Sequence, residues 1–596
     1  MILLQLYSND HRFKTVTFKK GLNLVIAKIN NPNAKDTDTH NLGKTKLIEL
    51  IDFMLLKELK KNHFLKNPIF KNHIFFLEIQ ISNEKSLTIK RSVANNTKIS
   101  LKISDTQYNN FIDLDEWDYT DLALKSTKLD QNPKHIINTL LNFNVLKEYN
   151  YRSSLNYFLR TQNDYKDVFH LSKFNGSDSD WKPLLFELLN FSPEYMNKKY
   201  VKDSELKEQE TFLKQFKEKQ DLSDGDYDRQ LGILQIKIDE KNSIEEELDS
   251  LDFYNQDLSV SDNLVTKYDN NIALINSKIY YLKKDIKNLK NSLEKEFSFN
   301  LDKVDTLFEE VNLFFPNQIK KSYEELIKFN KLVTKDRNSI LTEAITTKEA
   351  ELETLYSKLK ETYSLKETYS KYITSNDTFE KYKIIQKDLI NIEKEIELLN
   401  YKLKQYDVIN KENSKINEIK KEITELKSKI QKQISAENDI YLSIRNNFSA
   451  FVKKIINKNG LLSIKQNNAG NIEFSAEILG LTEEKTKQSD GFTYKKILCC
   501  CFDISLLLAY SGSKYNYFSF ILHDGCLETL EPRKQINYLN LICDLCNKHN
   551  IQYILTLLES DIPTENGKKY TFKTNYNIAL SLSDSNDSDT LFGFSF

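Results

Sequence analysis

The fold is decided by GLNLVIA (21–27), by DTHNLGKTK (38–46) after a polar interval, and by LIELIDF (47–53). The apolar run after a glycine predicts a buried strand, and the later apolar spacing predicts a helix. Between them stands Gly-Lys-Thr at 43–45. A phosphate-binding loop needs inward-pointing backbone N–H groups, a lysine for the β- and γ-phosphates and a hydroxyl for Mg²⁺, all where a helix begins. The order strand, Gly-Lys-Thr, helix therefore predicts a phosphate-binding loop.

The first half of this loop departs from the usual pattern. The first glycine of G-x-x-x-x-G-K-[ST] falls on Asp38, and the interval 28–40 is long for such a loop. Gly-Lys-Thr also arises by chance, so its position directly before a helix is what favours the interpretation.

A second candidate is the apolar strand YFSFILHD (517–524), which ends in a carboxylate. A carboxylate at the end of a buried strand can hold Mg²⁺ opposite a phosphate loop, which makes Asp524 the predicted metal ligand. The alternative is a buried strand that ends in an ordinary turn aspartate.

A third candidate is KQSDGFTYKK (487–496), which precedes a strongly apolar helix. Ser489 and Gly491 are predicted to present a hydroxyl and N–H groups to a phosphate at the start of that helix. The alternative is a helix-capping turn, because Ser-Asp-Gly is also common there.

The middle of the chain has almost no helix breakers. Only Pro316 lies between Pro193 and Pro532, and no glycine lies between Gly232 and Gly460. Apolar residues there repeat at alternating steps of three and four, flanked by Lys and Glu, which is typical of a coiled coil. The repeating positions are Ile272, Ile275, Ile279, Leu282, Ile286, Leu289 and Leu293, then Ile385, Leu389, Ile392, Ile396, Leu399, Leu403 and Tyr406, then Ile416, Ile419, Ile423, Leu426 and Ile430.

Two such seams around one break predict an antiparallel hairpin whose tip lies near 299–321; an ordinary helical bundle is the alternative. The flanks alternate strand and helix patterns, which predicts an α/β fold. We therefore expect an ABC-type P-loop head formed from both chain ends. The predicted domains are an N-terminal lobe (1–198), coiled-coil arms (199–440) and a C-terminal lobe (441–596).

Composition limits the classes of function. With 85 basic and 86 acidic residues the net charge is −1, which excludes a strongly basic nucleic-acid protein but not a local basic groove. MILLQLYSNDHRFK (1–14) has no basic segment before its apolar run, so it predicts a first strand and no signal peptide. ILCCCFDISLLLAY (497–510) is too short to span a bilayer. The six cysteines, all between 499 and 546, are expected to be reduced thiols in a cytoplasmic protein with no membrane partner.

The order of phosphate loop, long coiled coil, Ser-x-Gly at a helix start and apolar strand with Asp resembles that of SMC, RecN and double-strand-break-repair ABC ATPases. More closely, the chain resembles short-armed SMC-like ATPases of bacterial anti-phage operons, such as Lamassu-type and three-component ABC systems. This closer resemblance rests on GLNLVIA (21–27), NLGKTKLIELIDF (41–53), RSSLNYFLRTQNDYKDVF (152–169), FNKLVTKDRNSIL (329–341) and FILHDG (520–525).

The resemblance implies a role for each candidate residue. Lys44 and Thr45 hold the phosphates and Mg²⁺, with Asn41 and Gly43 beside them in the loop. Asp524 is the Walker B carboxylate, and Gln162 is the Q-loop residue near Mg²⁺ and the attacked phosphate. Ser489 and Gly491 form the signature that reaches the partner head's γ-phosphate. Arg12 corresponds to an N-terminal nucleotide contact, and Thr556 lies near the switch position.

Several departures bear on catalysis. The family places a catalytic Glu directly after the Walker B Asp, and here that position is Gly525. Three possibilities stay open: Asp524 serves as the base in a shifted register, Glu528 substitutes for it, or hydrolysis is slow. The switch histidine is absent, Asp490 stands where the signature usually has a glycine, and no cysteine precedes 499 to form a zinc hook.

The resemblance implies an ATP- and Mg²⁺-binding homodimer whose ATP-driven head pairing couples double-stranded DNA to operon-encoded partners, among them a nuclease or another effector. Weak or partner-dependent ATP hydrolysis is expected. The alternatives are a nucleotide-gated scaffold with little hydrolysis, a RecN-like DNA-repair ATPase, and a coiled-coil interaction protein with a vestigial head.

Overall fold

The computed structural model describes residues 1–30, 42–82, 84–174, 176–220, 226–250, 259–294, 317–370, 377–480, 489, 491–512, 514–565 and 567–594. The chain divides into two compact units. We call them the head unit, made of Met1–Lys198, Leu301–Ser322 and Leu426–Phe596, and the helical unit, made of Lys199–Asn300 and Tyr323–Glu425.

The strands follow one another along both ends of the chain. They are β1 (Ile2–Ser8), β2 (Val16–Thr17), β3 (Gly21–Lys28), β4 (Ile74–Gln80), β5 (Ser86–Ser92), β6 (Lys98–Ser104), β7 (Tyr119–Ala123), β8 (Leu159–Arg160), β9 (Gly460–Gln466), β10 (Ile472–Ile478), β11 (Phe520–Asp524), β12 (Gln552–Leu558), β13 (Thr564–Glu565), β14 (Lys568–Lys569) and β15 (Tyr576–Ser583).

The helices include the long ones of the central segment. They are α1 (Lys44–Met54), α2 (Pro133–Leu140), α3 (Tyr151–Ser154), α4 (Asp178–Leu188), α5 (Glu194–Gln220), α6 (Asp226–Ser250), α7 (Ser259–Glu294), α8 (Asn317–Ser370), α9 (Asp377–Ser435), α10 (Asp439–Ile456), α11 (Phe492–Ala509) and α12 (Pro532–His549).

A five-stranded parallel sheet in the order β15-β3-β12-β11-β8 forms the centre of the head unit. Its inner strands β3, β12 and β11 are almost wholly buried, which explains their continuous apolar sequences. The strand before the phosphate loop, β3, lies between β12 and β15 from the far end of the chain. The head is therefore built from both chain ends, and the predicted fold class is confirmed.

A six-stranded antiparallel sheet in the order β2-β1-β4-β5-β6-β7 forms the second layer. Strands β4 and β5 pair along their whole length, from Ile74 opposite Ser92 to Gln80 opposite Ser86. The Gln552 side chain joins the layers, because its amide accepts from Leu3 N at 2.9 Å and donates to Leu3 O at 2.8 Å. A separate antiparallel hairpin, the β9–β10 pair, follows α10 in the chain.

The apolar segments of the head turn inward. All six cysteines are buried free thiols, and those of α11 and α12 lie in the core, as expected from the apolar helices around them. Within the described ranges, no helix is long and apolar enough to cross a membrane.

The helical unit contains antiparallel helix pairs, as the seams predict. Helix α6 pairs with α9 through Lys237–Glu395 at 3.0 Å and Lys241–Glu393 at 2.9 Å. Helix α7 pairs with α8 through Lys348–Asp285 at 2.8 Å and through a second Lys–Asp bridge. In each pair one sequence number rises as the other falls, so the helices run in opposite directions.

Helix α7 also lies beside α9, in the parallel direction. The Ser277 hydroxyl donates to Glu397, and the rings of Tyr281 and Tyr401 stack with centroids 6.4 Å apart. The arms are therefore not a single pair of helices, because α7 has two neighbours. Heptad spacing identifies the apolar face of a helix but not how many helices share that face.

In α7, every second position of the predicted apolar seam from 272 to 286 is buried. Ile272, Ile279 and Ile286 are buried, whereas Ile275 and Leu282 between them are only partly covered. The tip predicted near 299–321 lies outside the described residues except for 317–321, which begin α8.

Candidate nucleotide-binding site

The predicted phosphate loop leads from β3 into α1. Gly43 has φ +103° and caps α1 without a side-chain hydrogen bond, so N–H groups of the first turn are left for a ligand. A Cβ at this position would lie 2.8 Å from Leu591 Cβ, so the loop requires glycine here. Lys44 and Thr45 begin the helix and are half-buried. Asn41 lies outside the described residues.

Asp524 ends β11 directly opposite this loop. Thr45 Oγ1 donates to Asp524 Oδ2 at 3.0 Å, although 479 residues separate the two in sequence. The Thr556 hydroxyl donates to Asp524 Oδ1, and the same hydroxyl oxygen accepts from Gly525 N at 3.3 Å. The structure thus brings the predicted loop hydroxyl, the predicted carboxylate and the residue near the switch position together.

Strand alternation decides which side chain of His523-Asp524 faces the loop, because successive residues of a strand point to opposite faces. His523 turns into the core, where Nδ1 lies 2.6 Å from the Tyr553 hydroxyl and Nε2 lies 3.3 Å from Asp503 Oδ2. Asp524 alone reaches Thr45. A register shifted by one residue would bury the aspartate away from the loop.

The position that lacks the expected glutamate is crowded by two other side chains. Gln162 Nε2 donates to Glu528 Oε1 at 2.8 Å. A Cβ at Gly525 would lie 2.6 Å from Gln162 Nε2 and 2.9 Å from Glu528 Oε1. The structure therefore gathers all three predicted catalytic residues, Asp524, Glu528 and Gln162, around one turn.

A lysine that the motifs did not reveal holds this turn. Lys496 of α11 is buried, and its Nζ donates to Gly525 O at 3.0 Å and to Glu528 O at 2.9 Å. The rings of Phe492 and Tyr165 lie 5.4 Å and 5.5 Å from the ammonium group. In the sequence, Lys496 is recognisable only as a lysine directly before the apolar run 497–510, four residues after the start of α11.

Beneath the site, Arg160 of β8 and Asp503 of α11 form a fully buried ion pair. Arg160 Nη2 donates to Asp503 Oδ1 at 2.8 Å, and Nη1 donates to Asp164 O at 2.7 Å. Because a buried charge needs a partner, this pair joins the strand that leads into Gln162 to the helix that carries Lys496. In the sequence, the pair is visible only as one charged residue inside each of two apolar stretches.

The remaining predicted contacts lie apart from this cluster. The Ser489 hydroxyl accepts from Ile478 N at 2.9 Å and is buried, whereas Gly491 at the start of α11 is exposed. Arg12 pairs with Asp10 at 2.7 Å and lies 4.8 Å from the Phe594 ring. Among the described residues, no hydrogen bond or ion pair joins Ser489, Gly491 or Arg12 to Lys44 or Thr45.

Two carboxyl groups of the site, those of Asp524 and Glu528, have raised pKa values. Burial raises the pKa of Asp524, while hydrogen bonds from Thr556 and Thr45 and the charge of Lys44 act in the opposite direction. Burial also raises the pKa of Glu528, against the charges of Lys44 and Lys496. Lys44 therefore lies close enough to both carboxyl groups to compensate their charge.

The donor set fits Mg²⁺. Among the described residues no three His, Cys, Asp or Glu side chains gather as in an all-protein metal site. One carboxylate and one hydroxyl, Asp524 and Thr45, lie together instead. Mg²⁺ keeps several waters and is commonly held by one or two carboxylates plus the phosphates of a nucleotide, so hard oxygen ligands of this number suit it.

Comparison with known proteins gives distant relatives. Residues 451–596 match a family described as an uncharacterised protein conserved in bacteria (DUF2326). The chain is similar to the uncharacterized protein YydD of Bacillus subtilis (strain 168), at 21% identity over 613 residues that cover 98% of this chain and 97% of YydD.

The solved structures that resemble this chain include Smc head domains with coiled coils and the recombination mediator protein RecF. The Smc head domain with a coiled coil and joint from Pyrococcus yayanosii shares 14% identity at a TM-score of 0.35, over 96% of this chain and 98% of that one. The recombination mediator protein RecF with ATP shares 10% identity at a TM-score of 0.27, over 95% and 92%. The fold class rests on the strand order of the parallel sheet, independently of these similarities.

Proposed function

We propose that this protein is an ATP-binding SMC-like ATPase whose heads pair around ATP and Mg²⁺. The observation that carries the proposal is the hydrogen bond between Thr45 Oγ1 and Asp524 Oδ2 at 3.0 Å. It brings a hydroxyl at a helix N-terminus and a strand-end carboxylate to one point, and these are the two ligands that a nucleotide-bound Mg²⁺ needs from the protein.

Each residue of the site has a proposed role in binding ATP and Mg²⁺. The N–H groups at the start of α1 and the Lys44 ammonium face the phosphates, and Thr45 and Asp524 hold Mg²⁺, which neutralises the phosphate charge. Gln162 borders the γ-phosphate. Arg12 and Asn41 are kept as proposed outer contacts with the nucleotide.

We further propose that two copies pair as a homodimer, with Gly491 and Ser489 of one head meeting the nucleotide of the other. Exposure of Gly491 at the N-terminus of α11 supports this arrangement, since that helix end is free to meet a phosphate. The Ser489 hydroxyl would have to leave Ile478 N to take part.

Head pairing is proposed to grip or sense double-stranded DNA and to signal to operon-encoded subunits with nuclease or other effector activity, in anti-phage or anti-plasmid defence. The resemblance of the phosphate-loop segment, of 152–169, of 329–341 and of the Walker B segment to ATPases of such operons supports this assignment. A second candidate is a nucleotide-gated scaffold with little hydrolysis, and Gly525 favours it because the usual base is missing there.

The decisive experiment measures ATP binding by the Lys44→Ala variant. Removal of the ammonium group that faces the β- and γ-phosphates is expected to weaken ATP affinity by about tenfold or more, because charge-assisted hydrogen bonds to phosphate are strong. Lys46→Ala, two residues later on the same helix, serves as the matched control. Equal ATP affinity in wild type and Lys44→Ala would contradict the assignment of the loop.

The same protein tests the DNA proposal. Binding to linear duplex DNA, measured with and without ATP, should fall steeply as salt rises, because phosphate contacts release counterions. Absence of binding at low salt under every nucleotide condition, also with the operon partners present, would exclude DNA as a ligand.

A further inference from the structure

The space beside Gly525 is filled by the carboxylate of another residue. A methyl group at this position would lie 2.9 Å from Glu528 Oε1 and from Glu528 Cδ. The glutamate that the related ATPases place directly after Asp524 would have to enter this same space. We infer that Glu528 is the general base of ATP hydrolysis in this protein, held in place by Gln162 and Lys496; the inference rests on the proposed function.

The backbone of the turn explains how a residue three positions later reaches this place. Gly525 has φ +60°, a left-handed conformation that reverses the chain directly after β11. Glu528 N then donates to Gly525 O at 3.3 Å, which closes the turn. Because the chain folds back on itself, the carboxyl group of Glu528 returns to the end of the strand that carries Asp524.

Gln162 fixes the carboxyl group from the opposite side. Its Nε2 donates to Glu528 Oε1 at 2.8 Å. Gln162 begins a short 3-10 helix with a capping box. The Thr161 side chain accepts from the backbone N–H of Asp164, and the Asp164 carboxylate accepts from Thr161 N. The amide is therefore presented from a rigid segment, and it leaves the second carboxylate oxygen of Glu528 to other partners.

Lys496 fixes the backbone beneath the carboxyl group. Its Nζ bonds to the carbonyl oxygens of both Gly525 and Glu528, the first and last residues of the turn. A buried ammonium group that satisfies two carbonyls stabilises one conformation of the turn over others. Lys496 lies five residues after Gly491, so the helix end proposed to meet the partner's nucleotide also sets the position of Glu528 in its own head.

Asp524 is unsuited to the role of base. One of its oxygens accepts from Thr45 and the other from Thr556, and the same carboxylate is the proposed Mg²⁺ ligand. Glu528 accepts one hydrogen bond from Gln162 at one oxygen, and it is not a proposed Mg²⁺ ligand.

In the inferred step, the water oxygen bonds to the γ-phosphorus while the bond from that phosphorus to the β–γ bridging oxygen breaks. ADP takes the electron pair, Glu528 takes a proton from the water, and the products are ADP and inorganic phosphate.

The test is a single-turnover measurement with protein in excess over Mg²⁺ and γ-labelled ATP, alongside equilibrium ATP binding. Glu528→Gln keeps the size of the side chain and one acceptor oxygen but removes the base. Its hydrolysis rate constant should fall by about 10²–10⁴-fold, with ATP affinity at the wild-type level. Glu565→Gln, the same change on the exposed β13–β14 hairpin, is the control and should hydrolyse ATP as wild type does.

Lys496 has its own variants, because it positions the base and does not touch ATP. Lys496→Met should lower the rate constant while leaving ATP affinity unchanged, and Lys496→Arg, which keeps a donor, should restore part of the rate. A residue needed only for folding would instead lower the thermal midpoint and ATP affinity together. Equal rate constants in Lys496→Met and wild type would remove Lys496 from the inference.

The outcomes separate this inference from the proposed function. A wild type that binds ATP and hydrolyses it, with Glu528→Gln at the same rate, overturns Glu528 as the base and leaves ATP binding intact. A wild type that binds ATP and hydrolyses none, also with DNA and the operon partners present, overturns it as well, because a base in place should then act. A wild type that binds no ATP overturns the proposed function, and the inference with it.

Discussion

Single residues of the site differ in how far their position follows from the sequence. Lys44, Thr45 and Asp524 were predicted from short motifs, and the structure brings Thr45 and Asp524 into contact. The contact between Gln162 and Glu528 was not predictable in the same way, since it depends on the left-handed backbone of Gly525. Local motifs identify residue types along the chain, whereas a reversal of the backbone brings together residues that no spacing rule connects.

Gly525→Glu restores the family's sequence and is nonetheless expected to slow hydrolysis. Its Cβ would displace Gln162 Nε2 and the Glu528 carboxylate, and a left-handed backbone costs a non-glycine residue roughly 1–2 kcal/mol. A displaced catalytic group of this kind lowers turnover by about 10²-fold. Steady-state ATPase rates of the variant, of wild type and of Gly512→Glu, where a Cβ meets nothing within 4 Å, make the comparison. Faster turnover in Gly525→Glu would show that position 525 accepts the base.

At the scale of elements, continuous apolar runs in the sequence predict the buried strands and helices but not the strands at the edges of the sheets. The inner strands β3 and β11 and the helices α1 and α11 lie where their apolar runs indicate. The edge strands β7 and β15 have no such run, because exposed residues interrupt their apolar pattern. Helix α4 carries a glutamate that no periodicity accounts for: Glu187, one residue before the helix ends, is buried beside two backbone N–H groups.

Glu187 makes head stability depend on pH. Its Oε1 accepts from Lys147 N at 2.7 Å and Glu148 N at 3.2 Å, and burial raises its pKa to about 7, against those hydrogen bonds. A carboxyl group that binds its proton more tightly in the folded state loses stability as pH rises from the unfolded pKa, about 4.3, through 7. The loss is at most about 4 kcal/mol.

The Glu187→Gln variant removes this titration. Its thermal midpoint, relative to wild type, should therefore rise from pH 5 to pH 8. Glu437→Gln, an exposed position before α10, should show the same difference at both pH values. A pH-independent difference for Glu187→Gln would mean that the carboxyl group is already ionised in the folded head at pH 5.

At the scale of the whole molecule, the two-unit division and the shared head follow from where both chain ends pair, and the sequence predicted this from its two α/β flanks. The arrangement inside the helical unit was less predictable, because α7 contacts both α8 and α9. Helices with similar Lys, Glu and Ile content offer several equivalent partners, so pairing is decided by contacts that the seams alone do not distinguish.

Pairing of two heads predicts complementation between two inactive variants. Lys44→Ala removes the phosphate contact of its own loop, and Gly491→Arg blocks the exposed helix end offered to the partner; Gly491 has φ −69°, which any residue adopts. Each variant alone should lose ATP hydrolysis. An equal mixture should recover about a quarter of the wild-type rate, since half of the random dimers carry one intact composite site of two. No recovery in mixtures that do form mixed dimers would contradict a shared site.

The position of β3 between β12 and β15 also sets a schedule for biosynthesis. A ribosome releases β3 early, yet both of its neighbours lie beyond residue 550, more than 500 residues later. At roughly 5–20 residues per second this strand waits about half a minute to two minutes with both edges unpaired. During that time β1 lacks Gln552, whereas the backbone hydrogen bonds within each of the helices α5 to α9 are local and can form as the helix emerges. The central helices can therefore form before the parallel sheet of the head is complete, while β3 stays without its neighbours on the nascent chain.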